Sequence, residues 1–233
     1  KLKHISHLIT GSVMELFGVM ADGKVVNSYE LTNKRGAKLK VINYGATVTS
    51  LKIPLKSGEM VDVVLGFDTL ENYINSFDLE SAPYLGATVG RYAGRINNAT
   101  FNLNGEIIHL DKNNNGHSLH GGKDNFSKKV WEVKNVNEGC SPSITFSYLS
   151  PANEGNYPGD LSVELTYTLS ENNELIIEYN AQTTEDTVLN LTHHSYFNLD
   201  GHDSSVSEQE LIVNSHKMLE TTTENIPTGR VLN

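Results

Sequence analysis

The sequence has a single cysteine, Cys140, among its 233 residues. One thiol can form neither an intrachain disulfide nor a thiolate cage for a metal ion. It lies in the segment NEGCSPS, which is typical of a turn, so we interpret it as an ordinary loop residue.

Long apolar runs and clusters of positive charge are also missing. No apolar segment is long enough to cross a bilayer, and the start, KLKHISHLITGSV, lacks the apolar core of a signal peptide. The 28 acidic residues outnumber the 18 basic ones, which gives a formal net charge of -10, and no Lys/Arg cluster forms a positive face. Nucleic acid and anionic membranes are bound through such a face, so we expect neither as a partner.

What the sequence does contain is a succession of strand-like segments. Most of them alternate apolar and polar residues and end at turn residues, which is typical of an all-β protein. Strands are predicted in AKLKVINYG, TVTSLKIP, MVDVVLGF, KVWEVKNV, SITFSYLS, LSVELTYTLS and NELIIEYNAQ. In ATFNLNGEIIHLD, Asn104-Gly105 predicts a type I′ hairpin turn.

Helical spacing is confined to DTLENYINSF, where Asp68 is the predicted N-cap. Hydrophobic residues make up 38% of the chain, which is enough for a sizeable core, and no linker-like segment divides it. We therefore expect residues 1–233 to form one large two-sheet β-sandwich domain, mostly antiparallel, with at most one or two short helices.

Two adjacent histidines lie in the segment LTHHSYFNLDG, residues 191–201. If this segment is a strand, alternate side chains point to opposite faces. His193 and Ser195 then share a mostly apolar face, whereas His194 and Tyr196 belong to a row of hydrogen-bonding side chains. We therefore select His194 as the functional histidine; the competing interpretation is a surface histidine on a solvated strand.

Two further segments could contribute to a site. The loop NNNGHSLHGG carries His117 and His120, and its paired glycines allow close approach of the backbone to a ligand, although such residues are also common in surface turns. The segment YLGATVGRYAGRINNATF carries Arg91 and Arg95, which could bind a polar ligand or pair with carboxylates. Neither a dinucleotide G-x-G-x-x-G pattern nor a His-x-His or His-Glu-x-x-His metal pattern is present, so we expect no cofactor and no metal ion.

Seven segments, taken together and in this order, resemble the aldose 1-epimerase, or galactose mutarotase, family. They are INYGATVTSLKIP (42–54), DVVLGFDTLENY (62–73), GATVGRYAGRI (86–96), SLHGG (118–122), EGNYPGDL (154–161), HSYFNLDG (194–201) and IPTG (226–229). Each segment alone is unspecific, but the joint match spans nearly the whole chain.

The resemblance implies a galactose mutarotase-like β-supersandwich that interconverts the α and β anomers of free hexoses such as galactose and glucose, without cofactor or metal. It implies that His194 is the general acid and that His120 contacts the sugar near the ring oxygen and the anomeric centre. A histidine can donate and retrieve a proton near neutral pH. The resemblance also implies a cytoplasmic location, with an exported form left open. The residues that it assigns to sugar binding are Arg95, Gly94, Tyr196 and Ser195.

The resemblance is incomplete at the C-terminal end. The family's general base, a Glu, and a sugar-binding Asp both follow the IPTG segment, whereas these residues stop at Asn233. We expect either the N-terminal two-thirds of a longer mutarotase or a chain whose remaining C-terminal segment is a separate partner. One alternative is a non-catalytic sugar-binding β-sandwich. Another is a phosphosugar epimerase, which would need more cationic residues than Arg91 and Arg95 around its pocket.

Overall fold

A computed structural model describes residues 12–233. The predicted lack of a signal peptide concerns the segment before residue 12 and lies outside the described residues.

The first sheet has five antiparallel strands in sequence order. They are β1 (Ser12–Val19), β2 (Val25–Thr32), β3 (Lys38–Ile42), β4 (Thr47–Pro54) and β5 (Met60–Asp62). Leu39 and Val41 are fully buried while Lys38 and Lys40 between them are not, as expected for a strand with one face in the core.

One α-helix, α1 (Leu70–Ser76), follows the first sheet in the described part of the chain. The predicted N-cap, Asp68, is wrong by one residue. Thr69 has the extended conformation of a cap, and its hydroxyl accepts a hydrogen bond from the Asn72 N–H at 3.2 Å. Leu70 and Tyr73 pack this helix against the first sheet.

Five short strands connect the helix to the second sheet. They are β6 (Thr88–Val89), β7 (Arg95–Ile96), β8 (Thr100–Leu103), β9 (Glu106–His109) and β10 (Ser118–Leu119). The predicted hairpin is confirmed between β8 and β9: Asn104 and Gly105 have φ angles of 53° and 89°, the two positive values that a type I′ turn requires. β7 pairs with β10 in an antiparallel ladder. This pairing brings the loop that follows the β8–β9 hairpin back beside Arg95.

The second sheet is antiparallel and contains β11 (Glu132–Asn137), β12 (Ser143–Ser150), β13 (Leu161–Leu169) and β14 (Leu175–Thr183). The core lies between the two sheets. Leu39 and Val41 of the first sheet belong to the same buried cluster as Phe146 and Leu165 of the second, together with Trp131. This arrangement confirms the predicted all-β, mostly antiparallel sandwich.

The last strands are short: β15 (Thr192–His193) pairs with β6, and β16 (Met218–Thr221) pairs with β17 (Pro227–Leu232). The condition of the alternation argument, that LTHHSYFNLDG forms a strand, therefore holds only for Thr192–His193. β6 offers only two residues to pair with, and the chain then bends away, so that Phe197 and Leu199 are 53% and 66% exposed instead of lying in the core.

Turns complete the description of residues 12–233. Four short 3-10 turns lie at Asn97–Ala99, Phe126–Lys128, Glu154–Asn156 and Val206–Glu208. No helix within this range is long and apolar enough to span a membrane.

Candidate active site

A cavity of about 620 Å³ opens beside the two short strand pairs β6–β15 and β7–β10. Its walls come from four parts of the chain: the loop after α1, the strand β7, the loops around β10, and the segment after β15. Five of the lining side chains are Tyr84, Arg95, His120, His194 and Tyr196. The cavity therefore brings together four of the six predicted site residues, and adds a tyrosine that the sequence analysis did not select.

The β7–β10 ladder places Arg95 beside His120. Leu119 lies opposite Arg95 in the ladder, and His120 is the next residue along the chain. The His120 N–H donates to the Gly94 carbonyl at 3.0 Å, and the Gly94 N–H donates to the His120 Nδ1 atom at 3.1 Å. Gly94 is therefore placed to orient the imidazole, and it does not line the cavity itself.

The hydrogen bond from Gly94 determines which nitrogen of His120 carries its proton. Because Nδ1 accepts, the proton of the neutral ring must lie on Nε2. Burial, followed by the charges of His194 and Arg95, lowers the pKa of His120 to about 4. At neutral pH His120 is thus an uncharged hydrogen-bond donor through Nε2.

His194 is held from the other side by β6 and the residues before it. Its N–H donates to the Ala87 carbonyl, and its carbonyl accepts from the Gly86 N–H, both at 3.0 Å. Its ring lies edge-on to that of His120, with 5.3 Å between centroids. Among residues 12–233, no group hydrogen-bonds to the His194 ring nitrogens, so both remain available to a ligand in the cavity.

The adjacent histidine, His193, points into the protein as the alternation predicted. Its Nε2 atom lies 2.6 Å from the Ser195 hydroxyl, and its ring packs against that of Tyr167. Burial, followed by the charge of His194, lowers the pKa of His193 to about 4. Ser195 therefore pairs with His193 and is not among the residues that line the cavity.

Tyr84 forms the floor between the two histidines. Its ring centroid lies 4.9 Å from that of His120 and 5.8 Å from that of His194, and the side chain is only 7% exposed. Burial raises the pKa of Tyr84, which keeps the phenol protonated. The sequence signal was weak: Tyr84 begins the quoted YLGATVGRYAGR segment, but nothing in the spacing distinguishes it from a core tyrosine.

The two arginines of that segment have different roles. Arg95 lines the cavity, and its Nε donates to the Asn114 Oδ1 atom at 3.0 Å. Arg91 is 2% exposed and donates to Ser150 and to the carbonyls of three further residues, Pro151, Pro158 and Gly159. Arg91 is therefore a structural residue. It neither lines the cavity nor forms an ion pair with a carboxylate of residues 12–233, so both interpretations offered for it from the sequence are wrong.

His117 is also structural in the described residues. It is 5% exposed, its Nδ1 accepts from the Asn98 N–H at 3.0 Å, and its Nε2 lies 3.6 Å from a Glu224 carboxylate oxygen. It does not line the cavity. No cluster of three or more His, Cys, Asp or Glu side chains that could hold a metal ion occurs within residues 12–233.

Comparison with known proteins identifies the family of the chain. Residues 27–233 match the family described as Aldose 1-epimerase. The chain is 38% identical to galactose mutarotase from Homo sapiens over 218 residues, which cover 93% of the chain and 60% of that protein. It is 37% identical to aldose 1-epimerase from Haemophilus influenzae, covering 88% of the chain and 58% of that protein.

Solved structures agree with the sequence comparison. A GalM/aldose epimerase homologue from C. elegans superposes with a TM-score of 0.78 at 36% identity, covering 87% of this chain and 59% of the other. Galactose 1-epimerase from Lactobacillus acidophilus gives a TM-score of 0.71 at 26% identity, covering 82% and 54%. The chain thus spans about 60% of the length of the curated relatives that it matches. Its sequence and fold establish that it belongs to the aldose 1-epimerase family.

Proposed function

We propose that this chain carries the sugar-binding and proton-donating part of an aldose 1-epimerase that interconverts the α and β anomers of free hexoses, with galactose and glucose as substrates, in the cytoplasm. The observation that carries the proposal is the edge-on pair of His120 and His194 on one wall of a cavity also lined by Arg95. The galactose mutarotases and aldose 1-epimerases among its relatives support the choice of substrate.

The reaction opens and recloses a pyranose ring. The C1–O5 bond breaks as a proton is delivered to O5, and a base removes the proton of the C1 hydroxyl, which becomes an aldehyde oxygen. Rotation about the C1–C2 bond presents the other face of the aldehyde to the O5 hydroxyl. Reclosure returns both protons to their donors, so the reaction consumes no cofactor and transfers no electrons.

We propose different tasks for the two histidines. His120 is neutral at pH 7 and holds its proton on Nε2, so it can donate a hydrogen bond to a sugar oxygen but is a poor proton source. The ring nitrogens of His194 have no hydrogen-bond partner among residues 12–233, and its ring lies 5.3 Å from that of His120, centroid to centroid. We assign the delivery of the proton to His194, and the orientation of the sugar to His120 and Arg95.

Tyr196 completes this wall of the cavity. Its ring lies 5.4 Å from that of His194 and is 42% exposed, so it can contact the face of a sugar from the solvent side. Gly94 and Ser195 enter the proposal as positioning residues, since one orients the His120 ring and the other hydrogen-bonds with His193.

The base is proposed to lie elsewhere in the protein. Glu80 is the one carboxylate that lines the cavity among residues 12–233, and it is exposed at the rim. We therefore retain the Glu that the family resemblance places after the IPTG segment, contributed by a further C-terminal segment of the same protein. Residues 1–233 are proposed to form a single domain with that segment.

Polarimetry of freshly dissolved α-D-galactose tests the proposal. The protein that includes the C-terminal segment with the proposed base is expected to raise the first-order rate of mutarotation above that of buffer in proportion to its concentration, and His194→Gln in that protein is expected to remove this increase. His109→Gln, which changes an exposed histidine of β9 outside the cavity, is the matched control and should behave as wild type. Equal rates for wild type and His194→Gln would contradict the proposal.

A further inference from the structure

Two residues of the candidate site have a left-handed backbone. Tyr84 has a φ angle of +52° and His120 one of +54°. All other non-glycine residues with positive φ among residues 12–233 are Asn or Ala. A positive φ costs free energy for a residue with a large side chain, so it persists only where the surrounding contacts fix it. Such residues cluster at functional sites, and here the two rings are in contact, with 4.9 Å between their centroids.

The backbone of Tyr84 is coupled to that of His194. The Tyr84 carbonyl accepts a hydrogen bond from the Ala87 N–H at 3.1 Å, which closes a turn. Two residues of this turn hold His194. The Gly86 N–H donates to the His194 carbonyl, and the Ala87 carbonyl accepts from the His194 N–H, both at 3.0 Å. A shift of the turn that begins at Tyr84 therefore moves His194 with it.

The ring of Tyr84 contacts both histidines. Its centroid lies 5.8 Å from that of His194, and 5.2 Å from that of Phe77, which packs against it edge-on. The side chain is 7% exposed, so it is enclosed by these neighbours. Among residues 12–233, no other aromatic side chain packs against both His120 and His194. Because protein interiors are close-packed, a ring held on several sides leaves the two imidazoles little freedom to change their spacing.

We propose that Tyr84 is a positioning residue of the reaction, and that its ring sets the distance and angle between the rings of His120 and His194. The inference rests on the proposed function, in which one histidine donates a hydrogen bond to the sugar while the other delivers a proton. Both steps need fixed directions, because a misplacement of about 1 Å can cost roughly 10²-fold in rate. The contacts with the histidines are made by the ring, so Tyr84→Phe is expected to keep this role and Tyr84→Leu to remove it.

Steady-state kinetics of the protein that includes the C-terminal segment test the role of Tyr84 in the reaction. Mutarotation of α-D-galactose is followed by polarimetry over a range of sugar concentrations. Tyr84→Leu should lower kcat by roughly 10²-fold and leave KM nearly unchanged, because displaced histidines weaken the transition state more than they weaken sugar binding. Tyr84→Phe should keep the kcat of wild type. An unchanged kcat in Tyr84→Leu, with or without a raised KM, would overturn the inference, because Tyr84 would then be at most a contact for the sugar.

Tyr73→Leu is the matched control for lost packing. Tyr73 is 3% exposed, its ring packs 5.2 Å from that of Phe67, and it does not line the cavity. In urea unfolding it should lose stability as Tyr84→Leu does, whereas its kcat should stay at the wild-type value. An equal loss of kcat in the two variants would overturn the inference, since a general loosening of the fold would explain both. If Tyr84→Leu does not fold, Phe77→Leu, which removes the half-buried ring packed against Tyr84, takes its place, and an unchanged kcat there would overturn the inference.

¹⁵N NMR of the histidine side chains of residues 1–233 at neutral pH tests the positioning without turnover. In wild type and in Tyr84→Phe, His120 should show one neutral tautomer with its proton on Nε2, because the Gly94 N–H donates to Nδ1. Tyr84→Leu should show a mixture of tautomers, and a single unchanged tautomer would overturn the inference. The two hypotheses fail separately: a wild-type protein that does not accelerate mutarotation overturns the proposed function, while the spectra still decide whether Tyr84 positions His120.

Discussion

Gly121 provides a sharp test of how the fold positions His120. Its φ angle is +88°, and a Cβ atom at this position would lie 2.0 Å from the Gly90 carbonyl oxygen and 2.6 Å from the Gly90 carbonyl carbon. Both atoms belong to backbone, so no rotation of a side chain relieves the contact. Gly121→Ala must therefore push the His120 loop away from the segment that leads to Arg95.

The cost of this substitution has two parts. A non-glycine residue at positive φ costs about 1 kcal/mol, and overpacking typically costs about 1–3 kcal/mol more. We expect Gly121→Ala to lower the free energy of unfolding by about 2–4 kcal/mol. Because a displacement of about 1 Å can cost roughly 10²-fold in rate, we also expect it to lose the increase in mutarotation.

Gly116→Ala is the matched control in the same loop. Its φ angle is +83°, but a Cβ atom there has no heavy atom within 4 Å, so only the conformational cost of about 1 kcal/mol applies. Urea unfolding followed by the fluorescence of Trp131, the only tryptophan and 1% exposed, measures both variants. If Gly121→Ala costs no more than Gly116→Ala and keeps its activity, the proposed link between this close approach and the position of His120 is wrong.

Three further predictions concern the surroundings of the site. The pKa of His193 is lowered from 6.5 to about 4, so the unfolded state takes up a proton between pH 7 and pH 5 that the native state does not. Over this range the free energy of unfolding in urea should fall by on the order of 2 kcal/mol more for wild type than for His193→Gln. Equal losses would contradict the burial of a neutral ring. Arg91→Met should lower the free energy of unfolding by more than about 4 kcal/mol in the same assay, because it leaves four buried or half-buried carbonyls and the Ser150 hydroxyl without their donor. The control Arg35→Met changes an exposed arginine and should cost less than about 0.5 kcal/mol. Asn114→Ala frees the Arg95 guanidinium and should weaken galactose binding about 5-fold in calorimetry with little change in stability; unchanged binding would show that Asn114 does not position Arg95.

The sequence predicted the parts of the fold that depend on local backbone chemistry. Asn104-Gly105 supplies two residues that tolerate positive φ, and the hairpin forms there. The alternation around the paired histidines separated His194 from His193 correctly, because the two-residue ladder with β6 is enough to turn adjacent side chains to opposite faces. The N-cap was misassigned because Asp68 and Thr69 are both good capping residues, and only the backbone conformation decides between them.

The rest of the site depends on contacts between distant segments, which local patterns do not encode. Tyr84 meets His120 and His194 across 36 and 110 residues of chain. Arg91 and Arg95 lie four residues apart in one motif, but one is buried among carbonyls and the other faces the cavity.

The approach to equilibrium from both anomers tests the central claim most directly, because it separates a catalyst from a sugar-binding protein. Solutions of α-D-galactose and of β-D-galactose are followed by polarimetry with and without catalytic amounts of the protein, including the C-terminal segment that is proposed to supply the base. The proposed function predicts that this protein accelerates both by the same factor and leaves the final rotation unchanged. Rates equal to those of buffer from both directions would contradict it.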